Sequence, residues 1–248
     1  MKLNKEKCHF LVAGHKHELL WVNVGKNQIW ESKSEKMLGV NVDSKLKFDA
    51  HVEYLIKSAG RKLTILARMC NILTFSKLRI LIKSFFESQF SYCPLVWMFC
   101  SRALNNRINK LQERALRILY KDDISTFQQL LNKDKSVTIH IRNIQLLATE
   151  MYKAKNNILP CSLSESVTLR EITYNLREKS DFQRYKPNTV YYGTETLSNL
   201  GPKIWQLVPN VIKESSTLSV FKSKIKNWIT DECPCRLCKV FLRNVGFL

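Results

Sequence analysis

A chain of 248 residues with 40 Lys plus Arg against 21 Asp plus Glu carries a formal net charge of +19. Such an excess repels itself until an anionic partner neutralises it, nucleic acid foremost and an acidic membrane surface second. The length suffices for one large domain or two small ones, and 45% hydrophobic residues exclude a disordered basic tail.

Four short runs rich in β-formers open the chain: His9 to Ala13, Leu19 to Val24, Gln28 to Glu31 and Lys36 to Val42. Gly25-Lys26-Asn27 between the middle two suits a hairpin, so residues 1–48 read as a small antiparallel sheet. From Asp49, read as an N-cap, Val52, Leu55, Ile56, Leu63 and Leu66 fall at helical intervals. A second helix, Ser76 to Phe90, carries Leu78, Leu81, Ile82, Phe85 and Phe86 before Pro94 interrupts. Leu104, Ile108, Leu111, Ala115 and Ile118 then form one apolar stripe on a helix from about Arg102. Helices extend to about residue 157. Between Pro160 and Pro202 the pattern thins into Ser, Thr, Asn and Tyr, read as loops and extended structure, and Ser219 to Ile229 makes a last helix. The fold class expected is α+β and mainly helical: a small N-terminal antiparallel sheet (1–48), a helical bundle (49–157) and a loop-rich C-terminal region with a final helix (158–248).

The stretch FSYCPLVWMF at 90–99 is far shorter than the roughly 20 apolar residues of a spanning helix, so no membrane span is expected. The amino terminus has an apolar run of only a few residues closed by charge, unlike a signal peptide. An intracellular location, nuclear or cytoplasmic, and reduced thiols follow as expectations.

LYKDDI at 119–124 contains Tyr-x-Asp-Asp, the letters of a polymerase metal site. That site needs a β-hairpin and a further carboxylate from a separate strand. Here the letters end a helix, and Ser125 lies three before Gln128 in a capping-box arrangement. Asp122 and Asp123 therefore read as an inter-helix turn.

Arg107, Lys110, Arg114, Arg117 and Lys121 recur at three, four, three and four, a basic stripe beside the apolar one. Lys57, Arg61, Lys62 and Arg68 repeat the arrangement on the helix that follows Asp49. Either stripe can track phosphates or form a solvated face; the charge of +19 favours phosphates. Trp21, Trp30, Trp97, Phe99, Tyr191 and Tyr192 can stack on bases, although core packing is the ordinary fate of a tryptophan.

Eight cysteines are present, three of them in Cys233-Pro-Cys235-Arg-Leu-Cys238. Zinc takes four soft or borderline ligands in a tetrahedron, so this set is one short. Cys161, or His140 in the helical region, completes it if the fold brings either close; otherwise the thiols are inert or redox-active. His9, His15 and His17 read as surface residues rather than a second site.

KLNKEKCHFLV at 2–12 resembles the stretch that follows the active-site hairpin in non-LTR retrotransposon reverse transcriptases of the LINE type, the jockey-like and chicken-repeat-like elements. KMLGVNVDSKLKFDAHV at 36–52 is similar to the family's segment leading from the palm edge into the thumb. SQFSYCPLVWMFCSRALNNRINKLQERALRILY (88–120), YNLREKSDF (174–182), LSNLGPKIWQLVP (197–209) and FKSKIKNWITDECPCRLCKVFLRNVGF (221–247) extend the resemblance to essentially the whole chain. It implies a palm edge at 9–42 that helps position a primer terminus, thumb helices at 49–100 and a thumb-like domain to 157. It further implies that the catalytic carboxylates, fingers and most of the palm lie upstream, supplied elsewhere if at all. The expectation is a reverse transcriptase (RNA-directed DNA polymerase) fragment that binds RNA or an RNA–DNA hybrid and does not polymerise alone; it requires no cofactor, and Cys233, Cys235 and Cys238 hold zinc only if a fourth ligand reaches them. A protein-interaction module or a relic of the element is the alternative.

Overall fold

The computed structural model describes residues 4, 7–14, 20–170, 181–183, 185–187, 193–194, 196–230, 233–235 and 237–238. Its elements are β1 (Trp21–Val24), β2 (Asn27–Trp30), β3 (Ser34–Met37), β4 (Val40–Asp43), α1 (Asp49–Met69), α2 (Phe75–Leu81), α3 (Pro94–Trp97), α4 (Arg102–Tyr120), α5 (Phe127–Asp134), α6 (Ile139–Lys155), α7 (Cys161–Ser164), α8 (Leu197–Leu207), α9 (Asn210–Lys213) and α10 (Leu218–Ile225). The chain is thus α+β and mainly helical, and among the described residues its antiparallel strands lie in the N-terminal part. It divides into two compact units, Met1–Asp122 and Asp123–Leu248. Helices α5 and α6, which periodicity alone groups with the preceding ones, belong to the second.

In the first unit the strands form two separate hairpins, β1–β2 and β3–β4. The run Lys36 to Val42, expected as one strand, folds back at Leu38-Gly39, both at positive φ (47° and 86°), the backbone of a two-residue turn that matches strand twist. Between β1 and β2 the turn is Gly25-Lys26, one residue shorter than the sequence suggests. Of the expected strand at 9–13, only Phe10 bridges, to Glu31.

Asp43 shapes the entry to α1. Its carboxylate accepts from the backbone N–H groups of Lys45, Lys47 and Phe48, the last at 2.7 Å. Phe48, at φ 57°, is the N-cap, and Asp49, expected there, is instead the first helical residue, where its charge suits the helix dipole. Helix α1 buries Val52, Leu55, Ile56, Ala59, Leu63 and Leu66.

The helix expected over 76–90 is three elements: α2, a π turn at Ile82–Phe86 and a 3₁₀ turn at Glu87–Phe90. Phe86, in the π turn, and Phe90, in the 3₁₀ turn, are both buried in the core, where their rings meet edge-on at 5.4 Å and Phe90 meets Trp97 at 6.1 Å. Pro94 does not merely interrupt; it opens α3 in the first-turn position that needs no N–H donor.

Helix α4 ends at Tyr120, and Lys121 caps it in the left-handed conformation. The capping box is Thr126 with Gln129, one residue beyond the pair expected: the Gln129 side chain accepts from Thr126 N–H at 2.8 Å. Tyr120-Lys121-Asp122-Asp123 is therefore a helix terminus, and the boundary between the units falls between its two aspartates.

In the second unit α6 is the spine. Ile139, Ile144, Leu147, Ala148, Met151, Tyr152 and Ala154 are buried along with His140, Asn143, Gln145 and Thr149. A helix buried nearly all round needs elements on several sides, and α8 and α10 pack against it. Tyr152 stacks on Phe221 at 4.3 Å, Phe221 on Trp205 at 6.0 Å, and Trp205 meets Phe182 edge-on. The last helix, expected to reach Ile229, ends at Ile225.

Candidate nucleic-acid interface and metal centre

In the first unit α1 and α4 lie side by side. Glu53 pairs with Arg107 at 3.8 Å, Gly60 faces Leu111, and Thr64 Oγ1 accepts from Arg114 at 3.3 Å. Residue numbers rise together along the seam, so the two helices run parallel. At 100° per residue, Lys57, Arg61 and Arg68 lie within about 40° of one another on α1, just past the seam from the buried face. By the same count Lys110, Arg117 and Lys121 lie within about 40° on α4, again past the seam from its buried face. The two angular orders have opposite sense, as parallel neighbours sharing one core require. Both cation rows therefore flank the seam on the solvent side, with Arg107 and Arg114 spanning it.

Exposure agrees: Lys57, Arg61, Arg68, Arg107, Lys110, Arg114 and Lys121 are exposed, and Arg117 is half-buried, bonded to Glu113 at 2.7 Å and to the Asp122 carbonyl at 3.2 Å. Lys57, Arg61 and Lys110 form no ion pair among the described residues. Lys62 is the exception, turned about 140° from Lys57 by the helical period and half-buried.

The aromatics divide. Trp97 is 2% exposed, as core packing predicts, but Trp21 and Trp30, paired across β1–β2, are 48% and 56% exposed. A two-stranded ribbon offers no interior to receive them. Phe99 is half-buried, and Tyr191 and Tyr192 lie outside the described residues.

The second unit gathers the cysteine cluster. Thr138 caps α6, accepting from Ile141 N–H at 3.2 Å, which sets His140 in the first turn. His140 Nε2 lies 3.4 Å from Cys235 Sγ and 3.4 Å from Cys238 Sγ. With Cys233, the four ligand atoms all fall within 4.8 Å of one another, a set able to hold a metal ion. Cys233 and Cys235 are each 1% exposed, and Cys238 is half-buried. Cys161, the other candidate for fourth ligand, is exposed at the start of α7 and stays outside the set.

The two sulfur–nitrogen separations suit a tetrahedral ion. Metal–sulfur and metal–nitrogen bonds of about 2.3 and 2.0 Å separate sulfur from nitrogen by about 3.5 Å in a tetrahedron, close to the observed 3.4 Å. Cys238 N–H donates to Cys235 Sγ at 3.4 Å, a contact that orients a thiolate ligand. Hydrogen bonds from Cys235 and Cys238 pull the Cys233 thiol down to about 4, while its neighbours' sulfurs and burial push Cys238 up. His140 Nδ1 is buried with no hydrogen-bond partner among the described residues. Three sulfurs and an imidazole sequestered together fit the donor set of a soft or borderline divalent cation.

Among the described residues this is the only group of three or more His, Cys, Asp or Glu side chains able to hold a metal; Asp122 and Asp123 join no third carboxylate. His9 pairs with Glu35 at 3.3 Å, while His15 and His17 lie outside the described residues. No described helix is long and apolar enough to cross a membrane. Comparison with protein families, curated proteins and solved structures found no match to this chain.

Proposed function

We propose that the chain is the thumb and carboxyl-terminal part of a LINE-type reverse transcriptase, binding RNA or an RNA–DNA hybrid along the α1–α4 seam and holding zinc at His140, Cys233, Cys235 and Cys238. The observation that carries the binding reading is the parallel packing of α1 and α4, which sets two cation rows on one outer face. Rows of Lys and Arg on adjacent helices can track a phosphate backbone without reading its sequence. The zinc reading rests on the donor set, three thiolates and one imidazole, which disfavours the oxygen-seeking cations. Polymerisation is not assigned to this chain: the Tyr-x-Asp-Asp letters end a helix and gather no third carboxylate among the described residues.

The test is binding of the purified chain to a fluorescent RNA–DNA hybrid across a salt series, with nucleotide incorporation assayed in parallel. Affinity that falls steeply with salt, without incorporation, supports the reading. Affinity indifferent to salt removes it, and incorporation abolished by changing Asp122 and Asp123 to Asn restores a catalytic role to those residues.

A second reading, a protein-interaction module or relic, draws on a different observation. Ile65, Ile72, Phe75 and Ile80 of the first unit are all at least half exposed. Apolar residues exposed in such number suit a surface that once met another part of a larger protein. A monodisperse monomer in solution counts against a relic.

A further inference from the structure

Beyond α10 the chain has no strand, and no helix up to Cys235, among its described residues, yet part of it is buried. Trp228, Cys233, Cys235 and Leu237 are all buried. Two attachments on α6 account for this. Gln145, itself buried, donates from Nε2 to the Lys226 carbonyl at 3.1 Å and to the Trp228 carbonyl at 2.8 Å. Five residues earlier, His140 meets Cys235 and Cys238. The first turns of α6 therefore hold the tail twice, once through an amide and once through the metal set.

We propose that the Cys3His centre is a metal-operated latch: a thiophilic divalent cation docks the described tail residues, 226–230, 233–235 and 237–238, onto the first turns of α6, and its removal releases them. The proposal rests on the zinc reading above. The described residues between Ile225 and Cys235, outside any helix or strand, have little regular hydrogen bonding to offset the entropy of being ordered, and weak thiol contacts around a buried imidazole whose Nδ1 has no partner among the described residues do little to replace a cation. Binding energy at such a site becomes folding energy. The set is also closed, with four protein ligands and no fifth group among the described residues, which is the arrangement of structural rather than hydrolytic centres.

The release should be local because the distal half of α6 has a core of its own. Tyr152 stacks on Phe221 and donates to the Ser215 carbonyl at 2.7 Å, and Met151 lies against Gly201. None of these contacts involves the tail. Conversely, whatever docks the tail must tighten the metal by the same factor, since coupling between two sites is reciprocal. Gln145 touches no ligand atom but governs tail docking, so it is a positioning residue for the metal.

The experiment uses the full chain. Cobalt(II) titration gives stoichiometry through its thiolate charge-transfer band, and hydrogen exchange read by mass spectrometry compares loaded and chelated protein. We expect one cobalt per chain, and faster exchange after chelation in peptides covering 226–230 and 139–145 with 197–225 unchanged. Gln145→Ala should keep the stoichiometry and weaken cobalt binding by about tenfold or more. Metal stripped without any change in exchange overturns the latch and leaves the zinc reading standing. Loss of protection throughout residues 139–225 also overturns it, making the metal a requirement of the whole unit. No stoichiometric binding overturns the zinc reading and the latch with it. Should Gln145→Ala fail to fold, the chelation comparison on the unaltered chain decides.

Discussion

Asp181 Oδ2 accepts a 2.7 Å hydrogen bond from the indole Nε1 of Trp205, and Lys155 Nζ reaches the same oxygen at 3.1 Å. Two segments that look unrelated in sequence, SDF at 180–182 and the helix over LSNLGPKIWQL, are joined at this carboxylate to the last turn of α6. Trp205 is 1% exposed, so its N–H has no water to fall back on. Lys155 and Lys213 lie over the indole ring at 5.9 and 5.6 Å. One carboxylate thus organises an aromatic ring and the cations that cover it.

Asp181→Asn makes the Trp205 bond neutral and removes the ion pair with Lys155, and should cost about 1–2 kcal/mol, measured by urea denaturation. Burial pushes the Asp181 carboxyl up, but the hydrogen bonds from Trp205 and Lys155 and the charges of Lys155 and Lys213 outweigh it, leaving the group below its ordinary value. A lowered carboxylate contributes stability that is complete above its unfolded value of about 3.9 and is lost as pH falls through the folded one. The acid limb of the stability curve should therefore be shallower in the Asn variant. An unchanged limb would mean that the carboxylate is not preferentially ionised in the folded protein.

A second pH dependence, of separate origin, belongs to His51. It is 2% exposed, its Nδ1 accepts from Asn41 N–H at 3.4 Å, and its Nε2 has no hydrogen-bond partner among the described residues. Burial and then the nearby Lys36 charge hold its pKa below the ordinary value. The unfolded chain therefore binds a proton first: stability is complete above about pH 6.5, falls as pH drops below it, and levels off below the folded value. His51→Gln keeps an acceptor for Asn41 and does not titrate. Hydrogen exchange in α1 should accelerate between pH 7 and 5, beyond the intrinsic trend, in the parent and not in the variant.

Where periodicity and turn chemistry act alone, the sequence was sufficient. The stripe Leu104, Ile108, Leu111, Ala115 and Ile118 announces α4 from about Arg102, and the change of period at Asp49 announces α1 to within one residue of its cap. Helix α8 begins inside the stretch between Pro160 and Pro202 that reads as loops, and Leu197, Leu200, Ile204, Trp205 and Val208 at helical spacing were the signal for it. The π turn after α2 could not be read, because the same apolar letters serve either winding. Three of the metal ligands were visible in C-x-C-x-x-C, but the choice of His140 over Cys161 depends on tertiary packing that brings α6 to the tail. The relative placement of the two cation rows required the parallel seam, whereas the separation of Lys62 from Lys57 follows from the helical period alone.

Two glycines make opposite predictions. A Cβ at Gly201 would stand 2.5 Å from Met151 Sδ and 3.4 Å from its Cε, so the fully buried thioether must shift within the core to admit it. Gly201→Ala should destabilise by about 1–3 kcal/mol, the cost of overpacking. At Gly60, inside α1, a Cβ would meet only Leu111 Cδ2 at 3.8 Å, an ordinary contact. Gly60→Ala should stabilise by about 0.5–1 kcal/mol through reduced backbone freedom. Thermal melts of the two variants should move in opposite directions, and parallel shifts would refute the packing difference.

The seam on α1 and α4 yields the sharpest test of the nucleic-acid reading, because it separates cations by position rather than by number. Lys57, Arg61 and Lys110 flank the seam, exposed and without ion pairs among the described residues, whereas Lys62 points away from it. Each phosphate contact removed should reduce the slope of log affinity against log salt by about one and weaken binding to all sequences alike. The triple change of Lys57, Arg61 and Lys110 to Gln should therefore flatten the salt dependence by about three, while Lys62→Gln, an equal chemical change on the same helix, should leave the slope where it was. Circular dichroism on each variant establishes that the helices persist. Were Lys62→Gln to act as strongly as Lys57→Gln, binding would answer to net charge alone, and the seam would lose its claim to be the contact surface.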